Sequence, residues 1–196
     1  MMDRMMRMRR GEAIAAVLGR LDAAAIAVAA NGWISREACA AADRDLSFYM
    51  IGSMGLAGGI GLGLALAQPG RRVAVLDGDG NVLMALGTLA MVAERKPANF
   101  LHAVLDNEVY GSTGAQRSLS ARVPLDALAA AAGYAQVERV RDREGLDAAL
   151  DRLLGTPGPS FLLIKVAPEA DGEAPRVALP PARIAERLRR AVGGAA

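Results

Sequence analysis

Residues 72–81 read RVAVLDGDGN, an apolar run followed at once by alternating aspartate and glycine. The run lacks polar alternation, which is typical of a strand buried on both faces of a parallel sheet. The Asp-Gly repeat ends the strand, and a helix is predicted over Asn81–Arg95. A second apolar run, Phe100–Leu105, follows Lys96-Pro97. This stretch therefore predicts a strand, a turn, a crossover helix and a parallel neighbouring strand.

The same alternation of helices and apolar strands continues along the rest of the chain. It predicts one α/β domain over residues 1–196, a doubly wound and mainly parallel sheet with helices on both faces. Residues 1–10, MMDRMMRMRR, are interpreted as a flexible or partner-contacting arm, or as an overcalled start. The other predicted strands are Ala25–Ala30, Gln136–Val140 and Phe161–Val166. The other predicted helices are Gly11–Ala24, Ser35–Ala42 with Ser35 as N-cap, a glycine-rich helix ending before Pro69, Pro124–Ala132, Glu144–Leu154 and one opened by Pro180-Pro181.

Composition excludes several classes of protein. A hydrophobic fraction of 53% with 4% aromatics excludes a disordered chain and indicates a core of small aliphatic residues. The single cysteine, Cys39, excludes a disulfide framework and a cysteine-based zinc site, and it favours a reducing, cytoplasmic compartment. The single histidine, His102, argues against a histidine triad. A net charge of +2 argues against a nucleic-acid partner.

Residues 46–70 carry no charge, and this length could span a bilayer. The segment contains seven glycines, and its periodic part begins only near Gly55. The remaining helix is too short to cross about 30 Å at 1.5 Å per residue. We therefore expect a buried helix against the sheet and no membrane span.

The loop LDGDGN, residues 76–81, has three possible interpretations: a tight turn, a calcium loop, or a phosphate and metal cradle. Asp-Gly pairs are ordinary turn formers. A calcium loop is excluded, because Val82 stands where such a loop needs glycine and Thr88 where it needs glutamate. The remaining reading is a phosphate and metal cradle, in which glycines admit a diphosphate and Asp79 offers an oxygen to a divalent cation.

A second polar loop, LDNEVYGSTG at residues 105–114, follows the next strand. Asn107 offers an amide oxygen, and the backbone just beyond it offers a carbonyl. With Asp79, two phosphate oxygens and a water, these would complete the six-oxygen shell that Mg²⁺ prefers. Gly80 and Asn107 are separated by 26 residues, which is the length of one crossover helix plus a strand. The two loops are therefore expected side by side at the carboxyl edge of the sheet.

GDG followed after this spacing by an asparagine resembles the cofactor motif of thiamine-diphosphate-dependent enzymes. Here the asparagine is preceded by Asp106, where the family usually has a second asparagine. The resemblance implies that Asp79, Asn107 and the Val109 carbonyl bind Mg²⁺. It also implies a set of cofactor-binding residues: Gly52, Ser53, Met54, Gly78, Asp79, Gly80, Asn81, Asn107, Val109, Tyr110, Gly111 and Ser112.

The segment IGSMGLAGGIGLGLAL, residues 51–66, is not a dinucleotide fingerprint, because Leu64 replaces the third glycine. It resembles the family's loop that faces the cofactor pyrimidine. By this resemblance the Gly52 carbonyl accepts a hydrogen bond from the cofactor's 4′-amino group. Met54 is the bulky residue between the two rings that enforces a bent cofactor. Gly52 and Met54 are thus the catalytic residues expected on this chain.

Three segments, FYMIGSMGLAGGIGLGLAL, GDGNVLMALGTLA and DNEVYGSTGAQRS, resemble the sulfopyruvate and phosphonopyruvate decarboxylases. The resemblance implies a β subunit of a hetero-oligomeric lyase that removes CO2 from a small acidic 2-oxo acid. Sulfopyruvate is expected first; phosphonopyruvate, another 2-oxo acid or carbon–carbon bond formation is the alternative. A non-catalytic cofactor-binding protein is a further possibility. An α subunit with the pyrimidine-binding domain would supply the activating glutamate.

The remaining conspicuous residues have simpler interpretations. His102 is expected to be an interior or interface histidine, and Cys39 a packing residue. Trp33 stands where many of these decarboxylases carry a phosphate-contacting threonine. Thr113, Gln116 and Arg117 are candidates for holding the sulfonate or phosphonate.

Overall fold

The computed structural model describes residues 8–168 and 174–193. Six parallel strands form one sheet, ordered β2-β1-β3-β4-β8-β7. The strands of the sheet are β1 Ile26–Ala29, β2 Ser47–Tyr49, β3 Val73–Gly78, β4 Phe100–Asp106, β7 Gln136–Val140 and β8 Ser160–Lys165. A separate antiparallel hairpin joins β5 Val109–Tyr110 to β6 Gln116–Arg117.

The helices lie on both faces of this sheet, as the alternating pattern predicted. Helices α1, α2 and α7 cover one face, and α3, α5 and α6 the other. The helices are α1 Arg10–Gly19, α2 Trp33–Ala41, α3 Ala57–Ala67, α4 Asp79–Met84, α5 Gly87–Arg95, α6 Leu125–Ala132, α7 Arg143–Gly155 and α8 Pro181–Gly193. A single 3-10 turn covers Leu119–Ala121.

Burial on both faces explains the apolar runs that the sequence shows. Every residue of β3 and β4 is buried, from Val73 to Gly78 and from Phe100 to Asp106. The glycine-rich segment forms α3 and packs on β3, where a Cβ on Gly61 would collide with Val75. No helix within the described ranges is long and apolar enough to cross a membrane.

Several element predictions are wrong in their bounds. The helix predicted over Asn81–Arg95 is two helices, because the backbone leaves helical geometry at Ala85. Ser35 is not an N-cap: α2 begins at Trp33, and the Ser35 hydroxyl lies within 3.0 Å of the carbonyl oxygens of Ala29, Ala30 and Met50. The segment predicted as a loop after Asp106 contains the β5–β6 hairpin.

The prediction of a flexible arm over residues 1–10 is wrong for its last three residues. Residues 1–7 lie outside the described residues. Met8 forms a parallel bridge with Val166, and its carbonyl accepts a hydrogen bond from the amide of Ala167. Arg10 is 4% exposed and begins α1, so the chain is already part of the domain there.

Candidate functional site

A cleft opens at the carboxyl edge of the sheet, where the loops after β1 and β3 part. Strand β1 lies between β2 and β3. The connection after β1 leads to β2 on one side of it, and the connection after β2 leads to β3 on the other side. Such a switch point separates neighbouring loops and creates a crevice for ligands. The cleft is lined by the residues Arg10, Asn31, Gly32, Trp33, Ile34, Met54, Gly78, Asp79, Gly80, Asn81, Leu105, Asn107, Val109, Tyr110, Gly111 and Ser112.

The two predicted polar loops therefore meet at one cleft. Asp79 is the first residue of α4, and Asn107 directly follows β4; both are buried. Strands β3 and β4 pair in register from Val73–Phe100 to Gly78–Leu105, which brings their carboxyl ends together. The spacing argument from sequence correctly predicted this juxtaposition.

Asp79 is held by two serines that follow the hairpin. The Ser118 hydroxyl donates to Asp79 Oδ2, and the Ser120 hydroxyl lies 2.9 Å from the same oxygen. Both hydroxyl contacts use Oδ2, so neither serine occupies Oδ1, and the Gly80 amide adds a further hydrogen bond to the carboxylate. Burial raises the pKa of Asp79 to about 6, while the hydrogen bond from Ser118 opposes this rise. A divalent cation at Oδ1 would favour the charged carboxylate.

The loop that carries Asn107 is held in place by an ion cluster of Lys165, Asp106 and Glu108. Lys165 Nζ lies 2.6 Å from Asp106 Oδ2 and 2.6 Å from Glu108 Oε1. Asp106 Oδ1 accepts the Glu108 amide at 3.1 Å. Glu108 itself has a left-handed backbone, with φ of 63°. This cluster sets the turn that directs Asn107 and Val109 into the cleft.

Met54 and Tyr110 close the cleft on either side of Gly80. A Cβ on Gly80 would stand 2.5 Å from the Tyr110 ring and 3.1 Å from Met54 Cε. Glycine is therefore required here by close approach, not by an unusual φ. Asn81 joins the two segments, since its Oδ1 accepts the Gly55 amide at 2.8 Å.

Gly52 and Ser53 lie outside this cleft. They line an adjacent apolar depression together with Leu56, Ile60 and Ile184. Both are exposed, and Ser53 has a positive φ of 56°. Of the predicted set, the other ten residues all line the cleft.

The residues present fit a magnesium–diphosphate group. Asn31 Oδ1 is buried in the cleft wall without a hydrogen-bond partner among the described residues. Asp79 Oδ1, the Asn107 amide oxygen and the Val109 carbonyl are the hard oxygens that Mg²⁺ prefers. Within residues 8–168 and 174–193 no group of three or more His, Cys, Asp or Glu side chains is placed to hold a metal. A cation here therefore needs amide, carbonyl and phosphate oxygens.

Sequence reasoning missed several residues of this site. Ser118 and Ser120 are separated from Asp79 by about forty positions in the chain and carry no recognisable spacing. Arg10 falls in the predicted arm, and no motif in the sequence marks Asn31, yet both line the cleft. Thr113, Gln116 and Arg117 are exposed on the hairpin, where Thr113 Oγ1 donates to Gln116 Oε1 at 2.7 Å.

The structure agrees with the expectation that His102 is an interior histidine and Cys39 a packing residue. His102 is buried, with Nε2 3.1 Å from Asp77 Oδ2 and Nδ1 3.2 Å from the Tyr134 hydroxyl. Cys39 is half-buried and packs against the core. Both are interior residues outside the cleft.

The fold and the cleft at its switch point define a cofactor-binding α/β domain. The family model described as "Thiamine pyrophosphate enzyme, C-terminal TPP binding domain" matches residues 27–164. The chain belongs to this family of thiamine-diphosphate-binding proteins.

Named relatives agree with this membership. Phosphonopyruvate decarboxylase of Streptomyces hygroscopicus is 43% identical over 92% of this chain, which spans 45% of that relative. Sulfopyruvate decarboxylase subunit beta of Methanothermobacter thermautotrophicus is 39% identical over 97% of this chain and 98% of its own length. This chain thus spans less than half of the first relative and nearly all of the second.

A solved structure supports the fold alone. Benzoylformate decarboxylase of Polynucleobacter necessarius superposes with a TM-score of 0.68 at 19% identity, covering 84% of this chain and 34% of that one. The doubly wound parallel sheet predicted from sequence is thereby confirmed.

Proposed function

We propose that this chain is the diphosphate-binding subunit of a hetero-oligomeric, thiamine-diphosphate-dependent decarboxylase that acts on sulfopyruvate. The observation that carries the proposal is the cleft itself, in which Asp79, Asn107 and Met54 meet at the edge of the sheet. The intact anchor argues for catalysis and against a scaffold. A cytoplasmic location is part of the same proposal.

In this proposal Asp79, Asn107 and the Val109 carbonyl hold Mg²⁺, and backbone groups near Asn81 and Ser112 contact the diphosphate. The cofactor, when bound, would supply a nucleophilic carbon for the keto group of the substrate and would accept the electrons released with CO2. Met54 would pack against the cofactor rings, and the Gly52 carbonyl would accept a hydrogen bond from the pyrimidine amine. Tyr110 shields the diphosphate end from water.

In this proposal a partner supplies the activating glutamate, because none of the described glutamates lines the cleft. Glu37 pairs with Arg10, Glu108 with Lys165, and Glu12 with Arg9. Glu94 is exposed on α5. An activating glutamate would therefore come from an α subunit that carries the pyrimidine-binding domain.

The surface where this subunit would dock is apolar. Ile51 is 60% exposed and Leu56 is 55% exposed, both beside Gly52 and Ser53. Exposed apolar side chains grouped at one site are typical of a protein interface. The pyrimidine end of the cofactor would thus lie between the two subunits.

Sulfopyruvate is favoured by the relative named subunit beta, which matches this chain over 98% of its own length. Phosphonopyruvate is the second candidate, because the Streptomyces relatives are 43% and 44% identical. The two substrates differ in the acidic group on the methylene carbon. Gln116 and Arg117 on the hairpin are the proposed residues for contacting this group.

The complex purified through a tag on this chain tests the proposal. With saturating Mg²⁺ and thiamine diphosphate, CO2 release is measured from sulfopyruvate, phosphonopyruvate and pyruvate. We expect the highest kcat/KM with sulfopyruvate. A higher value with phosphonopyruvate would transfer the assignment to the second candidate, and turnover of none of these acids would reject a decarboxylase of this class.

A further inference from the structure

Arg10 lines the cofactor cleft, although it lies in the segment predicted as a flexible arm. It is the first residue of α1, lies before the matched family region of residues 27–164, and is 4% exposed. A buried arginine in a cleft built for an anion needs an explanation, because burying a guanidinium is costly unless it is paired.

Part of the explanation is Glu37 on α2. Arg10 Nε lies 2.7 Å from Glu37 Oε2, and Nη2 lies 2.5 Å from Oε1, with both side chains 5% exposed. This bidentate pair fixes the guanidinium plane. It uses Nε and Nη2, and it leaves Nη1 as the third donor group.

Trp33 further orients this arginine. The Arg10 guanidinium carbon lies 6.0 Å from the Trp33 ring centroid, and that of Arg36 lies 4.7 Å from the same centroid. Arg10 and Trp33 line the cleft with Asp79 and Gly80, whereas Arg36 lines the neighbouring cavity. Trp33 also replaces the phosphate-contacting threonine expected at this position.

Resting on the proposed function, we infer that Arg10 is a direct ligand of the cofactor diphosphate, positioned by Glu37 and Trp33. Arginine binds phosphate oxygens through its planar set of N–H donors. Glu37 offsets the charge of the Arg10 guanidinium, so Arg10 contributes a directed N–H donor at the cleft wall rather than net charge. This donor takes the place of the missing threonine contact.

The test compares Glu37→Gln with the double variant Arg10→Met/Glu37→Gln, because these two proteins differ at Arg10 alone. Neither leaves an unpaired buried charge of Glu37. Calorimetry measures the affinity of the full chain for thiamine diphosphate with Mg²⁺, and for Mg²⁺ with inorganic diphosphate. Trp33, the single tryptophan of the chain, gives an independent fluorescence titration.

We expect Glu37→Gln to bind as tightly as the wild type or more tightly, since the cation is less neutralised. The double variant should bind both ligands about 10- to 100-fold more weakly, as expected for loss of a charge-assisted hydrogen bond. Arg36→Met is the matched control: it alters the surroundings of Trp33 and should leave affinity unchanged. Thermal unfolding of each variant confirms that it is folded.

Equal affinity of the double variant and Glu37→Gln would overturn the inference. So would parallel weakening by Glu37→Gln and the double variant, because a purely structural ion pair would behave in that way. If wild type binds and Asp79→Ala does not, the proposed metal site stands whatever Arg10 does. If the wild-type chain binds neither thiamine diphosphate nor inorganic diphosphate, the proposed cofactor site is rejected, and the inference about Arg10 is rejected with it.

Discussion

Two neighbouring regions contrast sharply: the proposed diphosphate anchor around Asp79 and Asn107 in the cleft, and segment 50–56, the proposed ring-facing segment, of which only Met54 lines the cleft. In the anchor, Asp79 is 3% exposed and Asn107 is 7% exposed, and serine hydroxyls and a buried ion cluster hold the loops. In the ring-facing segment, Ile51 and Leu56 are more than half exposed. The anchor is complete within one chain, whereas the ring-facing segment lacks a covering surface. The contrast fits the proposal that cofactor binding and cofactor activation are divided between two polypeptides.

The most severe test of this division is the activity of the chain alone. Without a partner, and at saturating Mg²⁺ and thiamine diphosphate, we expect no measurable CO2 release from sulfopyruvate. The reason is that the activating carboxyl lies on the other subunit. A coupled assay before and after addition of the partner measures this, and a Glu→Gln change at the partner's activating residue should abolish the restored rate. Robust turnover by the purified chain would remove the contrast altogether.

Removing the metal ligand should break the anchor without affecting the ring-facing segment. Asp79→Ala is expected to weaken Mg²⁺-dependent binding of thiamine diphosphate by about 100-fold or more, because a charged ligand is lost. Calorimetric titration measures the change. Asp45→Ala, an exposed acid before β2, serves as the control and should bind as wild type. An unchanged Kd in the Asp79 variant would refute the assignment.

The serines that hold Asp79 should have the next largest effect. The double variant Ser118→Ala/Ser120→Ala leaves the carboxylate without its hydroxyl partners at Oδ2. Loss of such supporting hydrogen bonds typically costs 10- to 100-fold in metal affinity. Titration with Mg²⁺ at fixed thiamine diphosphate measures it. If the double variant binds Mg²⁺ as tightly as the wild type, Asp79 does not depend on the two buried hydroxyls.

Met54 offers the smallest and most selective effect. Met54→Ala should relax the bent cofactor and lower kcat about tenfold, which corresponds to ~1.4 kcal/mol. Cofactor affinity should change less, because the diphosphate anchor remains. Steady-state kinetics of the complex and calorimetry separate the two quantities. A normal kcat with a lost cofactor would assign Met54 to the anchor.

The parts of the fold that follow from local pattern were predictable. Strand β4 differs from its predicted bounds by one residue, because a continuous apolar run is a strong signal. Strand β7 has the predicted bounds, although its residues are a mixture of polar and apolar types and most are only partly buried. The break between α4 and α5 was not predictable: Ala85 is a good helix former, and its non-helical backbone lies where the chain packs near Gly55. Tertiary contact overrides propensity at this position.

The residues of the candidate site likewise include some that the sequence predicts and others that it does not. Asp79 and Asn107 belong to two loops at a spacing that sheet geometry requires, so the residues alone could indicate them, whereas Met54 followed from the resemblance to the family's pyrimidine-facing loop. Ser118 and Ser120 contact Asp79 from the segment after the hairpin, and Arg10 lines the cleft from α1, so their positions depend on the finished fold. The sequence contains no spacing rule that joins Arg10 to a loop seventy positions away.

The two aspartates of the loop at residues 76–81 have different expected roles, although they are only two positions apart. Asp77 is 2% exposed; its Oδ1 accepts the Gly78 amide at 2.9 Å, and its Oδ2 contacts His102. A change at Asp77 would therefore reduce the amount of folded protein, whereas a change at Asp79 would leave the protein abundant and empty. A growth screen would score both as the same defect. Immunoblotting of the mutant cells would tell them apart, and residues found by such screens in this loop need that distinction before they are named catalytic.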